Sequence, residues 1–355
     1  MQELEVTLIK KNISIGQYTS IQYLEQGSFI TCFTALDINQ QKVIVIISNN
    51  QKELQTRLQM SQKLQNVNQV QKYSVLAKLQ IKQDTQSQLN EYYPNIFCQN
   101  SFALIGEFYE NSFNSFIKNM TVQEKINTFR ELLKIVKTLH ENSVYHMDLK
   151  PSNIMIHDGE LILIDFGQSV CESEVESVLN TSAYSPRHDV YACSVIPEKF
   201  DVYCLGNILH DMLVQIPLST SLVQDSRQYK QLQDSIGNLA ANIIFGMTTR
   251  EQEQRYTVSF ALNHPIFTAN EMEQIDQETL LVRFLNSWAQ SSNYSPSAES
   301  FIQLNQQLSQ DFSYSDLATS NNLFDTRQSL YDFTGNMLIS AVHSCYISVE
   351  DSLDL

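Results

Sequence analysis

The chain has 355 residues, enough for one large domain or two smaller ones, and with 43 % apolar and 10 % aromatic residues a packed core is available. A net charge of −16 at pH 7 excludes the basic face that nucleic-acid binding needs. No apolar run approaches the ~20 residues that span a membrane, so neither nucleic acid nor membrane is expected as a partner.

The charge is uneven. Residues 268–355 hold twelve Asp/Glu against two Lys/Arg, so −10 of the −16 lies in the last quarter of the sequence. That shift separates an acidic, Ser/Gln/Asn-rich C-terminal segment, expected to be partly disordered, from what precedes it. Six cysteines, at 32, 98, 171, 193, 204 and 345, form no C-x-x-C and no metal-like pairing with histidine. Together with the lack of a basic-then-apolar leader, they point to reduced thiols in a cytoplasmic protein.

In chain order, residues 1–17 read as an N-terminal extension. Residues 18–47 alternate apolar and polar positions with turn residues between, predicting three antiparallel strands. Residues 51–90 are glutamine-rich, and leucines at 54, 58, 64, 76 and 79 predict one or two helices. The run "SFALIGEFYE" predicts a further strand. From 121 onward helices take over: Thr121 with Glu124 three residues later spells a capping box, and apolar residues at 126, 129, 132, 133, 136 and 139 mark one buried face. "DVYCLGNILHDML" and "NLAANIIFGM" predict two more helices, and Leu280, Leu281, Phe284, Leu285 and Trp288 share a face of a fourth. A small β-rich part thus precedes a larger helical one.

The chemistry-bearing stretch lies between helices, in "YHMDLKPSNIMI" and "LILIDFGQS". Phosphoryl transfer needs a clamped triphosphate and metal and an aligned hydroxyl, and little covalent chemistry. Asp148 suits acceptance of a hydroxyl proton, and Lys150 suits charge neutralisation on the moving phosphoryl group. Asn153 and Asp165 are hard oxygen ligands suited to Mg²⁺, and Gly167 permits the turn that aims Asp165.

On these motifs the chain resembles the eukaryotic protein kinases of serine/threonine type. "HMDLKPSN" matches the catalytic loop H-R-D-L-x-x-x-N, and "DFG" follows at the family's interval. Lysine at 150 is the serine/threonine spelling. The resemblance covers about residues 18–267. It implies an α+β, bilobal fold, with an N-lobe over about 18–108 and a C-lobe over about 109–267. It also implies ATP and Mg²⁺ as cofactors, with Gly27, Glu107 and Met155 lining the nucleotide. Asp201 is then expected to brace the catalytic loop and Arg255 the segment after the activation loop.

The departures cluster near the nucleotide. "LEQGSFITC" keeps Gly27 but places Glu25, Ile30 and Cys32 where the family has two further glycines and a valine. The family's V-A-I-K falls on residues 43–46 or 44–47, so its lysine becomes Ile46 or Ile47 and its alanine Ile44 or Val45. The lysine's glutamate partner aligns with Arg57, and Glu53 is the only acidic residue between Asp37 and Asp84; it is a candidate displaced partner. Met147 replaces the arginine of H-R-D, which argues against control by phosphorylation at Ser169, Ser173, Ser177, Thr181 or Ser182. Arg187 stands where the family has the glutamate of A-P-E. Gly106, before the hinge, leaves a gap that we expect a neighbouring side chain to fill. Neither Lys42 nor Lys52 points clearly at the phosphates.

Two functions fit. In the first, a pseudokinase or weak kinase binds Mg·ATP and acts in signalling; in the second, an active Ser/Thr kinase uses a relocated lysine. A protein substrate or regulatory protein is the expected partner, with basic peptides favoured by the acidic charge.

Overall fold

In the first hundred residues β-branched and other apolar side chains, alternating or in short unbroken runs, form strands. The computed structural model describes residues 2–9, 12–27, 30–176, 178, 182–186, 189, 194–214, 232 and 234–268. They fall into two units, Met1–Ile208 and Leu209–Leu355. The predicted helix carrying Trp288, the rest of the acidic C-terminal segment beyond Thr268, and Ser177, Thr181 and Arg187 lie outside the described residues.

The strands of the first unit are β1 (Gln2–Ile9), β2 (Asn12–Ile15), β3 (Thr19–Gln26), β4 (Thr31–Leu36), β5 (Lys42–Ser48), β6 (Tyr73–Ile81) and β7 (Phe102–Glu107). They make one sheet in the order β2-β1-β6-β7-β5-β4-β3. The three strands predicted over 18–47 are β3, β4 and β5, paired antiparallel in sequence. Residues 2–15 extend the sheet at its other edge, β1 running parallel to β6 with Val6 opposite Ile81. Leu4, Val6, Ile13 and Ile15 are thereby buried in the core on one face, with Phe33, Val45, Ile47, Ala77 and Leu79.

Two helices flank β6: α1 (Gln51–Lys63) and α2 (Gln83–Tyr92). The helical expectation for 51–90 therefore needs correction in its middle, where β6 lies. Val75, Ala77, Leu79 and Ile81 alternate onto one core while Leu76 packs against the other, so Leu76 and Leu79 belong to opposite faces of a strand. Helix α1 starts where Asn50 Oδ1 accepts the N–H of Glu53 at 3.3 Å. It buries Leu54, Arg57, Met60 and Ser61.

After β7 come β8 (Asn111–Ser112), α3 (Phe113–Ile117) and α4 (Val122–Glu141). The capping box of α4 forms as spelled: Thr121 Oγ1 accepts from Glu124 N, and Glu124 accepts from Thr121 N at 2.8 Å. Its face of Ile126, Phe129, Leu132, Leu133, Val136 and Leu139 is buried. The hairpin β9 (Ile154–His157) and β10 (Glu160–Leu163) then pairs with β8 in a three-stranded sheet. Helix α5 (Pro197–Val214) follows. Among the described residues, no helix is long and apolar enough to cross a membrane.

The second unit contains α6 (Asn238–Thr248) and the short α7 (Val258–Ala261). Its polar centre is fully buried His264, whose Nδ1 accepts the N–H of Ile266 at 3.1 Å and whose Nε2 lies 3.1 Å from Asn242 Oδ1. Tyr256 donates to the same oxygen. Both ring nitrogens are thus matched in the neutral tautomer, and burial pushes the pKa down from 6.5 to about 3.

A histidine depressed on folding contributes stability that is complete above its unfolded pKa and lost as pH falls through the folded one. Wild type should therefore lose up to about 1.4 kcal/mol per pH unit more than His264→Asn as pH falls from 6.5 towards 3. Urea unfolding across that range checks it; parallel acid limbs for the two proteins refute it.

Candidate active site

The segment between α4 and β9 buries Val144, Met147 and Leu149, and one carboxylate holds the backbone at its His-Met pair. Asp201 on α5 is fully buried, and its two oxygens accept the N–H groups of His146 and Met147, each at 2.8 Å. His140 Nε2 lies 3.0 Å from the same carboxylate. The bracing expected of Asp201 is made through these bonds. The turn they hold places Met147 at φ 64° and buries its side chain. His146 accepts from Asp148 N at Nδ1 and so carries its proton on Nε2, 3.0 Å from the carbonyl of Ile164. Its ring packs against Phe166, with centroids 4.8 Å apart.

Three predicted site residues meet directly. Lys150 Nζ donates to Asp148 Oδ2 at 2.7 Å, and Asn153 Nδ2 donates to the same oxygen at 3.1 Å and to the Asp148 carbonyl at 2.8 Å. Asp165 follows β10 in a left-handed conformation, φ 64°, and accepts from Gly167 N at 3.3 Å. Ser169 is unsuited to modification: it is buried, and its hydroxyl donates to the His146 carbonyl.

A metal would find a half-built site. Asn153 uses its amide nitrogen internally, which leaves its Oδ1, and both bonds to Asp165 fall on Oδ1, which leaves its Oδ2. One amide oxygen and one carboxylate oxygen suit Mg²⁺, which keeps several waters and takes phosphate oxygens. Among the described residues, no cluster of three or more His, Cys, Asp or Glu competes for a metal.

The second partner of Asp165 is a residue the sequence reading assigned no such role. Arg57 Nη2 lies 2.6 Å from Asp165 Oδ1, and its Nη1 lies 3.4 Å from Glu53 Oε1, one helical turn back on α1. The Arg57 side chain is only 3 % exposed. The guanidinium lies against Gly167, where any Cβ would collide with it. The neighbouring carboxylates raise the pKa of Arg57 against burial, and burial raises that of Glu53 against Arg57. The signal was present in the sequence as Glu and Arg at i and i+4, but no local motif tied it to Asp165.

The register of β5 is settled by its two faces. Val45 and Ile47 join the Phe33 core, whereas Ile44 and Ile46 pack with Cys32, Leu54, Tyr73 and Leu104. Cys32 stands opposite Ile46, and Gly106 opposite Ile44. V-A-I-K therefore falls on 43–46, with Ile46 in the lysine's place. The gap at Gly106 is filled by Tyr73: a Cβ at 106 would lie 2.5 Å from its ring and 2.5 Å from the Lys72 carbonyl.

The remaining predicted nucleotide contacts are spread around this face. Gly27 donates its amide to the Ile30 carbonyl at 2.9 Å, closing its own turn. Glu107 ends β7; its carbonyl accepts from Gln71, its N–H donates to Lys72 O, and its carboxylate accepts from Tyr109. Met155 is half-buried in β9, opposite Ser112 and Ile162. Lys42 pairs with Glu110 and lies over the Phe108 ring, and Lys72 donates to the carbonyls of Leu64 and Val67. In the second unit Arg255 is buried and donates to the carbonyls of Thr249 and Arg250.

A strand-rich half followed by a helical one, with His-x-Asp and Asp-Phe-Gly segments packed together, defines the α+β protein kinase fold. The chain belongs to the protein kinase family: the model of the protein kinase domain matches residues 18–267. Among curated proteins it is similar to calcium/calmodulin-dependent protein kinase type 1 of Caenorhabditis elegans, 27 % identical over 169 residues, covering 42 % of this chain and 47 % of that protein. It is also 27 % identical over 170 residues to serine/threonine-protein kinase Sgk1 of Danio rerio, covering 43 % and 39 %. Serine/threonine-protein kinase PrkC of Bacillus subtilis matches at 24 % over 177 residues, covering 45 % and 27 %. The aligned stretch spans less than half the length of each of these relatives.

The packing at Gly106 makes one expectation concrete. Gly106→Ala should lower stability by about 1–3 kcal/mol, because the added methyl meets backbone as well as the Tyr73 ring. Urea unfolding checks it, and an unchanged midpoint would show that the gap is real.

Proposed function

We propose that this chain is a serine/threonine protein-kinase-like protein that binds Mg·ATP and transfers phosphate feebly or not at all, acting in signalling through a protein partner. The observation that carries the reading is a contrast. Asp148, Lys150 and Asn153 are hydrogen-bonded as a group, while the strand position of the phosphate-binding lysine holds a buried Ile46.

Each residue has a role in this reading. ATP would supply the transferable phosphoryl group. Asn153 and Asp165 would hold Mg²⁺ through their remaining oxygens, where it would offset the phosphate charge, and Met155 and Glu107 would bound the base. Asp148, oriented by Lys150 and Asn153, accepts the proton of an incoming serine or threonine hydroxyl. Lys150 shifts from Asp148 to the phosphoryl oxygens as charge develops there. The kinase domain spans 18–267 in this division, and the acidic 268–355 segment favours a basic partner.

Isoleucine at 46 removes a charge-assisted phosphate contact. Loss of one such donor costs on the order of 10²–10³ in rate. The alternative, an active kinase with a relocated lysine, is less favoured: Lys42 pairs with Glu110, Lys72 donates to the Leu64 and Val67 carbonyls, and Lys52 is exposed at the start of α1.

Thermal unfolding with millimolar ATP and Mg²⁺ tests the reading. Nucleotide at ~100 times its Kd should stabilise wild type by about 2.7 kcal/mol, and Asp165→Asn should abolish the metal-dependent part. A radiometric phosphotransfer assay on a basic peptide should then show little or no incorporation. No stabilisation of a cooperatively folded sample by ATP would overturn nucleotide binding, and turnover at ordinary kinase rates would overturn impairment.

A further inference from the structure

The loss of the strand lysine leaves the site without its usual cation, yet a buried cation is there. We propose that Arg57 is the phosphate-gripping group of this nucleotide site, acting from helix α1 in place of the lysine that β5 lacks. The proposal rests on the nucleotide-binding reading above and names the residue that serves it.

Three features of the geometry support it. First, the guanidinium is already attached to the site, with Nη2 2.6 Å from Asp165, the residue that would hold the metal beside the phosphates. Second, its hydrogen-bonding capacity is unfilled. Nε and Nη1 are buried and make no hydrogen bond, and Nη1 meets Glu53 only as an ion pair at 3.4 Å. A planar guanidinium with one arm fixed and two donors open is suited to phosphate oxygens, which accept from such a fork at two points. Third, the cation acts on the strand beside it: Cys32 on β4 is pushed up to about 12 by burial, then by Glu25 and Asp165, and is pulled back by Arg57.

The anionic partner has moved with the cation. In the family's arrangement a strand lysine faces a helix glutamate; here the helix carries both charges, Glu53 and Arg57 at i and i+4. The strand position, freed of charge, packs Ile46 into the cluster of Cys32, Leu54 and Leu104. A lysine at 46 beside Arg57 would crowd two cations onto one side of the site, so Ile46 and Arg57 belong together. Gly167 belongs with them, because any side chain there would occupy the space of the guanidinium.

Calorimetric titration of the full chain with ATP and with adenosine, both in Mg²⁺, separates phosphate recognition from base recognition. Wild type should bind ATP more tightly than adenosine. Arg57→Met should lose about tenfold to a hundredfold in ATP affinity and leave adenosine affinity unchanged. Arg57→Lys, which keeps a charge and guards against misfolding, should lose less. The exchange Arg57→Glu with Ile46→Lys, which restores the family's arrangement, should regain most of the ATP affinity. Equal weakening of ATP and adenosine in Arg57→Lys would assign Arg57 a packing role and overturn the proposal. So would ATP affinity indifferent to every substitution at 57. Wild type binding neither ligand would overturn the nucleotide site itself, and the proposal with it.

Discussion

The contact between Arg57 and Asp165 is the constraint around which this site is built. A guanidinium almost wholly removed from water, 2.6 Å from a carboxylate, is stable only while the pair is intact. Removal of Asp165 would leave the buried guanidinium with Glu53 alone. The pair also ties the helix α1 to the segment after β10, linking the sheet half of the first unit to the catalytic loop. Other features fit it. Gly167 leaves the space that the guanidinium fills, Asp165 presents Oδ1 from a left-handed backbone, and Glu53 sits one turn before Arg57 with the opposite charge.

Asp201 does the complementary job on the other side. It gathers two backbone N–H groups and His140 at a single buried carboxylate, so the loop that carries Asp148 has a fixed backbone before any ligand arrives. Phe166 packs on His146 and Gly167 on Arg57, so both halves of the site touch the Asp-Phe-Gly segment. Asp148, Lys150, Asn153 and Asp165 are consequently positioned by groups that are not themselves reactive. Preorganisation of this kind is what phosphoryl transfer asks of a protein.

The catalytic loop was legible because its chemistry is written in consecutive residues: an Asp, a Lys two on, an Asn three further and an Asp twelve beyond that. Helix α4 was legible because Thr121 and Glu124 close a local box and the apolar period is regular. Strand β6 was not, because Leu76 and Leu79 have helical spacing, and only the neighbouring strands reveal that they face opposite cores. The strands β1 and β2 went unread for a similar reason: β1 pairs with β6 across some seventy residues, and β2 joins the sheet only through β1. The register of β5 needed both faces of the sheet, since "VIVII" is apolar at every position. Arg57 was read as the loss of a glutamate, and its ion pair with Asp165 was not legible because the two residues are far apart in the sequence.

That last point bears on how damage to such a site is counted. Taken singly, a missing lysine and a missing glutamate are two defects. Either alone would be costly, for it would leave the other charge buried without a partner. Taken together with Glu53 they read as one change, with the positive and negative groups both on helix α1 and the net charge beside Asp165 held. The apolar cluster around Ile46 is the packing consequence of that change, because a strand position relieved of its ammonium joins the core on its own face. The losses in the glycine-rich turn are of a different kind: the amide of Gly27 is engaged with the Ile30 carbonyl, and among the described residues no ion pair is made by Glu25. The two departures therefore differ in kind: the turn loses glycines and closes on itself, whereas the cation beside Asp165 is supplied by another residue, Arg57.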